Sequence, residues 1–174
     1  FGEKAKNFNL ISIKNDNVTL EDVKGKNGTL IMFICNHCPY VKAVIKDIVE
    51  DVKFLEDLGI KAAAIMSNDV KNYPEDSFEN MISFSKEHNF SFPYLIDETQ
   101  EVAKKYGAVC TPDFFGYNKN HELQYRGRIR ELKDLKPVKQ GDSDLRKAMK
   151  LIAESGKGPK NQIPSMGCSI KWFK

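Results

Sequence analysis

Four cysteines punctuate this chain of 174 residues, and two of them, Cys35 and Cys38, stand three residues apart. A cysteine sulfur attacks only as the thiolate, and two sulfurs at this spacing can exchange a disulfide between them. The residue that follows the pair is Pro39. Proline suits the first position of a helix, where its missing N–H would have had no partner anyway. A helix is therefore expected from Pro39, with Cys38 as its cap. Unpaired N–H groups and the positive end of the helix dipole favour a thiolate at that point. His37 adds positive charge beside it when protonated. Plainer readings of the same residues exist. Two buried cysteines can pack as small hydrophobes. A zinc or copper module could use Cys35, Cys38 and His37, but structural zinc wants four ligands, and Cys110 or Cys168 would complete the set only if folding brought one of them there.

The flanking pattern indicates how the pair is held. Thr29 to Ile34 is a continuous apolar run between turn signals, as in a strand buried on both faces. From Pro39 the apolar residues Val41, Val44, Ile45, Ile48, Val52, Leu55 and Leu58 recur at three and four, the period of a helix, and Gly59 is placed to stop it. Ile60 to Met66 reads as a second buried strand. A helix follows over Ser77 to His88, and then a short strand over Tyr94 to Ile96. Asp97 is read as the cap of a helix running to Tyr106, with Gln100 in the capping-box position and Gly107 at the stop. Asp113 to Tyr117 and Glu122 to Arg126 flank the turn Asn118-Lys119-Asn120, which suggests a hairpin. Leu145 to Glu154 is a last helix. Near the start, Phe8 to Ile13 and Val18 to Val23 are short apolar-rich runs. Strands alternating with helices make this an α/β chain with one mixed sheet covered on both faces. No linker or repeat interrupts it, so residues 1–174 read as one domain, with 157–174 a tail that lacks periodicity.

Composition narrows the function classes. Lys and Arg exceed Asp and Glu by 27 − 24 = 3, with the signs mixed along the chain. That argues against a nucleic-acid face, which would need clustered basic residues. The longest apolar runs are about six residues, far from the ~20 needed to cross a bilayer. Four cysteines are too few for a disulfide-built scaffold, and no secretory leader is visible. A cytoplasmic location is therefore expected first and, because the chain begins at Phe1 rather than Met, an exported form second.

Taken together, a strand, then Cys-x-x-Cys-Pro heading a long helix, then Val109-Cys110-Thr111-Pro112 leading into a strand resembles the thioredoxin superfamily. The whole length, with Ala5 to Leu10 as an N-terminal extension, is similar to its peroxiredoxin-like (redoxin, alkyl-hydroperoxide-reductase-related) branch. Segments such as Phe33 to Val41, Asn68-Asp69, Tyr73 to Ser77, Phe92 to Leu95, Asp97 to Gln100 and Gly167 to Trp172 resemble a group of small bacterial thioredoxin-family proteins. The resemblance implies a thioredoxin-like three-layer α/β/α fold with a central mixed sheet and an N-terminal strand extension. It also implies a cis proline facing the cysteine pair, for which Pro112 after Thr111 is the matching position; a rival reading makes Pro112 merely a strand-start proline. A cis X-Pro bond is uncommon and leaves the preceding backbone open to strand-like pairing with a disulfide substrate.

This chain departs from the thioredoxin pattern in two ways. Ile34, rather than Trp, precedes the pair, and the buried Asp that accepts a proton in thioredoxin would fall near Met32. Counting five residues from Phe33, moreover, puts Cys38, not Cys35, at the position of the first thioredoxin cysteine. Cys38 is therefore read as nucleophile and Cys35 as its partner, in agreement with the capping argument.

A peroxiredoxin-like peroxidase is the alternative. It requires the thiolate, a Thr or Ser three residues earlier, and an Arg to hold the peroxide oxygens. Cys38-Pro39 matches, but Cys35 takes the Thr position, Ile31 stands where a Pro is expected, and no arginine precedes Arg126. Arg126, Arg128 and Arg130 read as a solvated edge.

The expected function is a thiol–disulfide oxidoreductase. Cys38 and Cys35 react, Asn36, His37 and Pro39 tune them, and Thr111 and Pro112 shape the substrate contact. Cys110 and Cys168 are possible accessory thiols. Cys110 is read as packing near the site, and Cys168 as a structural or free thiol in a tail able to reach back. No cofactor or metal is called for. The partners would be a disulfide-containing protein or small thiol substrate and an external reductant, with no nucleic acid and no membrane span.

Overall fold

Strand β3 (Gly28–Phe33) has every residue buried, because the sheet's two faces are both covered and its side chains point alternately into each. Leu30 and Met32 join a core under the helices α1, α2 and α4, while Ile31 and Phe33 join a second core under α3. The computed structural model describes residues 1–174. Chain order is β1 (Asn9–Ser12), β2 (Asn17–Thr19), a 3₁₀ turn at Glu21–Val23, β3, α1 (Pro39–Glu56), β4 (Ile60–Met66), a 3₁₀ turn at Pro74–Asp76, α2 (Phe78–Glu87), β5 (Tyr94–Ile96), α3 (Glu101–Tyr106), β6 (Cys110–Thr111), β7 (Asp113–Asn118), β8 (Leu123–Gly127), β9 (Leu132–Lys133), β10 (Lys136–Pro137), α4 (Asp144–Ser155) and β11 (Cys168–Ser169).

Seven strands form the central sheet in the order β2-β1-β5-β4-β3-β7-β8. β3, β4 and β5 run parallel, and β1, β7 and β8 pair antiparallel at the flanks, so the sheet is mixed as expected. β9 and β10 make a separate two-stranded ribbon. Helix α1 begins at Pro39 with Cys38 as its cap in extended conformation, as the sequence argument required. No helix is long and apolar enough to cross a membrane.

Three local expectations change. The run Val18 to Val23 divides into a short strand and a 3₁₀ turn, since a three-residue edge pairing with β1 is all that it supports. Helix α3 starts at Glu101, after Gln100 has adopted a left-handed backbone (φ 66°), so Asp97 is not its formal cap. The buried carboxyl of Asp97 still accepts from the N–H groups of Val102 and Ala103 at 3.3 and 3.0 Å, serving the same orphan donors from three residues further back. The tail, whose sequence lacks periodicity, is tied down along its length. Arg128 N–H donates to Ile163 O, Ile170 N–H to Val109 O and Asp69 N–H to Lys171 O, and Ile170 is buried in the α3-side core.

Asp97 also accepts from Ser67 Oγ at 2.7 Å, so three buried donors depend on it. Asp97→Ala is expected to destabilise the fold by about 1–3 kcal/mol, the cost of leaving such groups unpaired; a denaturant midpoint equal to wild type would refute that role.

Candidate active site

The turn from β3 into α1 carries Cys35, Asn36, His37 and Cys38, and three segments remote in sequence converge on it. All four cysteines are free thiols. Cys38 has no solvent exposure, and its Sγ lies 2.8 Å from Cys168 Sγ and 3.4 Å from Thr111 O. Its pKa is pulled well below that of an ordinary thiol. A hydrogen bond from the Cys35 thiol is the main cause, burial opposes it, and the Cys168 thiol and the backbone N–H groups of Val41 and Cys168 add to the lowering. Cys35, also buried, moves the other way. Its bond to Cys38, its burial and the negative charge of Asp76 all keep it protonated, and its Sγ is 3.5 Å from Thr111 Oγ1. The two thiols are thus shifted in opposite directions, Cys38 toward the thiolate and Cys35 toward the protonated form.

No carboxyl stands at Met32, and the buried carboxyl beside Cys35 comes from a different segment. Asp76, fully buried in the 3₁₀ turn before α2, accepts from Asn36 N–H at 2.8 Å and from Asn68 Nδ2 at 2.9 Å. Asn36 in turn accepts from Tyr94 Oη at 2.7 Å and donates to Glu75 O at 3.2 Å. His37 Nδ1 lies 2.6 Å from Asp76 Oδ2 but is not aligned for a hydrogen bond, and its ring stacks 6.0 Å from that of Tyr73. Sequence reasoning assigned no role to Asp76, Asn68 or Tyr94, although all three fall in segments that carry the family resemblance. Their hydrogen bonds to Asn36 and to one another are visible only in the folded chain. Cys35, His37 and Asp76 bring their donor atoms within 4.8 Å of one another, a three-donor group one short of a structural zinc set.

The Thr111-Pro112 bond is cis, as the resemblance implied. Thr111 and Cys110 pair with Cys168 and Ser169 as an antiparallel ladder, which the sequence did not reveal. Gly167 permits this approach, since a Cβ there would fall 2.1 Å from Thr111 O. Cys110 is half-buried, its thiol 3.6 Å from Pro112 O and pushed up to about 12 by burial, which fits packing better than reactivity. The arginines are not a free solvated edge. Arg126 donates to Gly107 O and Asp113, Arg128 to Asp144, and Arg130 to Asp47 and two loop carbonyls. A cavity of about 670 Å³ lies away from the cysteines, between Val23–Lys26, Gly59–Ala62 and Ser91–Pro93.

Two cysteines at a strand-to-helix turn, beside a cis proline and on a mixed sheet with helices on both faces, make the fold thioredoxin-like. The thioredoxin domain of a thiol-disulfide oxidoreductase from Bacteroides vulgatus shares that fold, with a TM-score of 0.61 at 16% identity, covering 72% of this chain and 86% of that one. The AhpC/TSA family profile matches residues 1–131, and the chain belongs to that family. A crystal structure of an uncharacterized conserved protein from Geobacillus kaustophilus superposes with a TM-score of 0.93 at 43% identity, covering 99% of this chain and 92% of that one. Among named relatives, a thiol-disulfide oxidoreductase ResA from Bacillus thuringiensis is 25% identical over 150 residues, 84% of this chain and 77% of the relative.

In the reduced protein, the ultraviolet absorbance of one thiolate is expected to persist well below the ordinary thiol range near 8.5. Because the Cys35 hydrogen bond is the main cause of the lowering, Cys35→Ala should move that titration to higher pH. A profile that does not move would remove Cys35 as the stabilising group.

Proposed function

We propose that this protein catalyses thiol–disulfide exchange, with Cys38 as the attacking thiolate and Cys35 as the resolving thiol. The observation that carries this reading is the placement of two buried cysteines at the head of α1 beside the cis Thr111-Pro112 bond, with Cys38 Sγ 3.4 Å from Thr111 O and Cys35 Sγ 3.5 Å from Thr111 Oγ1. The opposed pKa shifts of the two thiols agree with it. The ResA relative, named as a thiol-disulfide oxidoreductase, supports the same class.

In the first step the segment covering Cys38 opens to admit the substrate, the Cys38 thiolate attacks one sulfur of its disulfide, and the other sulfur leaves as a thiolate that takes up a proton. Cys35 then gives up its proton and attacks Cys38 Sγ, expelling the second substrate sulfur and closing a Cys35–Cys38 disulfide. Asp76 is the group positioned to receive that proton, within 4.8 Å of the Cys35 sulfur and held there by Asn36 and Asn68. The substrate is a disulfide-bearing protein or small molecule, and an external dithiol returns the pair to the reduced state. Peroxide chemistry is less well served, because the hydrogen bonds of Arg126, Arg128 and Arg130 already go to carboxyls and carbonyls.

With hydroxyethyl disulfide as substrate and a dithiol as reductant, Cys38→Ser is expected to abolish turnover. Cys35→Ser combined with Cys168→Ser, which leaves Cys38 without a neighbouring thiol, should accumulate a mixed disulfide on Cys38, visible as an adduct mass. Asp76→Asn should slow the resolving step by roughly 10²-fold, the usual size of a lost proton acceptor, and steepen its rise with pH. Full turnover by both Cys→Ser variants would end this assignment.

A further inference from the structure

Cys168 takes no part in the exchange just described, yet its sulfur lies 2.8 Å from Cys38 Sγ. The contact is built. Ser165 Oγ donates to Pro112 O, Cys168 pairs with Thr111, and Ile170 N–H reaches Val109 O at 3.0 Å. Lys171 N–H donates to Asn68 Oδ1 at 2.9 Å, and Gln100 donates to Lys171 O at 2.9 Å. These anchors lie on both sides of residue 168. They lay the tail along β6, on the backbone edge next to the nucleophile.

Access supplies the second half of the argument. The sulfurs of a Cys35–Cys38 disulfide would belong to residues 1% and 0% exposed, whereas Cys168 is only half-buried. A reductant must bring its own thiolate up to one of the two bonded sulfurs. Of the three cysteines gathered here, Cys168 is the one that solvent can reach.

We propose that Cys168 is a third redox thiol of the exchange reaction, one that takes Cys38 over from Cys35 and presents a Cys38–Cys168 disulfide to an external dithiol. This rests on the exchange reading above. Cys168 loses its proton and attacks Cys38 Sγ, forming the Cys38–Cys168 bond and breaking Cys35–Cys38. Cys35 leaves as a thiolate and takes up a proton, with no net change in oxidation. One sulfur of the dithiol then attacks Cys168 Sγ and the Cys38 thiolate departs. It is a good leaving group, because a thiol of low pKa leaves faster. The second sulfur of the dithiol displaces Cys168 as a thiol and closes the reductant's own disulfide. Two electrons have then passed from the dithiol to Cys38 and Cys168.

The full chain separates these outcomes by peptide mapping, because trypsin leaves Cys35 and Cys38 together in 27–42, Cys110 in 106–119 and Cys168 in 161–171. After oxidation of the native protein with one equivalent of diamide, alkylation and digestion without reduction, a 27–42 to 161–171 cross-link is expected in wild type. It should be the dominant disulfide in Cys35→Ser. Reduction of the oxidised protein by dithiothreitol should slow at least tenfold in Cys168→Ser. A bond confined to 27–42 in wild type, no cross-link in Cys35→Ser, or an unchanged dithiothreitol rate in Cys168→Ser would each overturn the proposal and leave the exchange reading standing. A protein that forms no disulfide through Cys38 at all would overturn both.

Discussion

A thiol sealed from water can have a lowered pKa only if the protein stabilises its anion, and the arrangement of this chain around Cys38 meets that requirement. Burial alone would push the thiol pKa up. It is outweighed by a neighbouring S–H, by backbone N–H groups at the start of α1, and by the thiol and N–H of a residue 130 positions later. Each contributor needs a different part of the fold. The helix start depends on Pro39, the Cys35 thiol on the exit angle of β3, and the Cys168 group on the tail lying against β6.

Cys35 and Asp76 complete the electrostatic arrangement. A carboxyl placed near a thiol keeps it protonated, and a thiol that stays protonated can donate to the thiolate beside it. Asp76 therefore acts on Cys38 indirectly, through Cys35. Asn36, Asn68 and Tyr94 hold the carboxyl and the turn in place through buried hydrogen bonds. Thioredoxin's buried carboxyl is expected from the strand that leads into the pair; here it arrives from the segment after β4.

Legibility in the sequence followed the range of the interaction. Helix α1, strands β4 and β5 and the stop at Gly107 were all visible, because proline at a first turn, apolar runs and a glycine in left-handed conformation are signals a few residues long. Cys35 and Cys38 were visible for the same reason. Asp97 and Gln100 show where local reading fails. They look like a capping box, but Gln100 has been taken over by Ser67 O and Lys171 O, and the helix begins one residue after it. The periodicity of 157–174 could not announce a strand, since β11 is two residues long and exists only through its partner β6.

The sequence by itself determined that a cysteine pair would sit between a buried strand and the first turn of a long helix. That placement needs nothing beyond neighbouring residues, because strand, proline and helix period are all local. Only the tertiary structure decided which carboxyl would stand beside Cys35, and that the distant Cys168 would lie against Cys38. Both depend on burial and on contacts closed by the sheet order, and a chain carries no local mark of residues that will meet only once the sheet has formed.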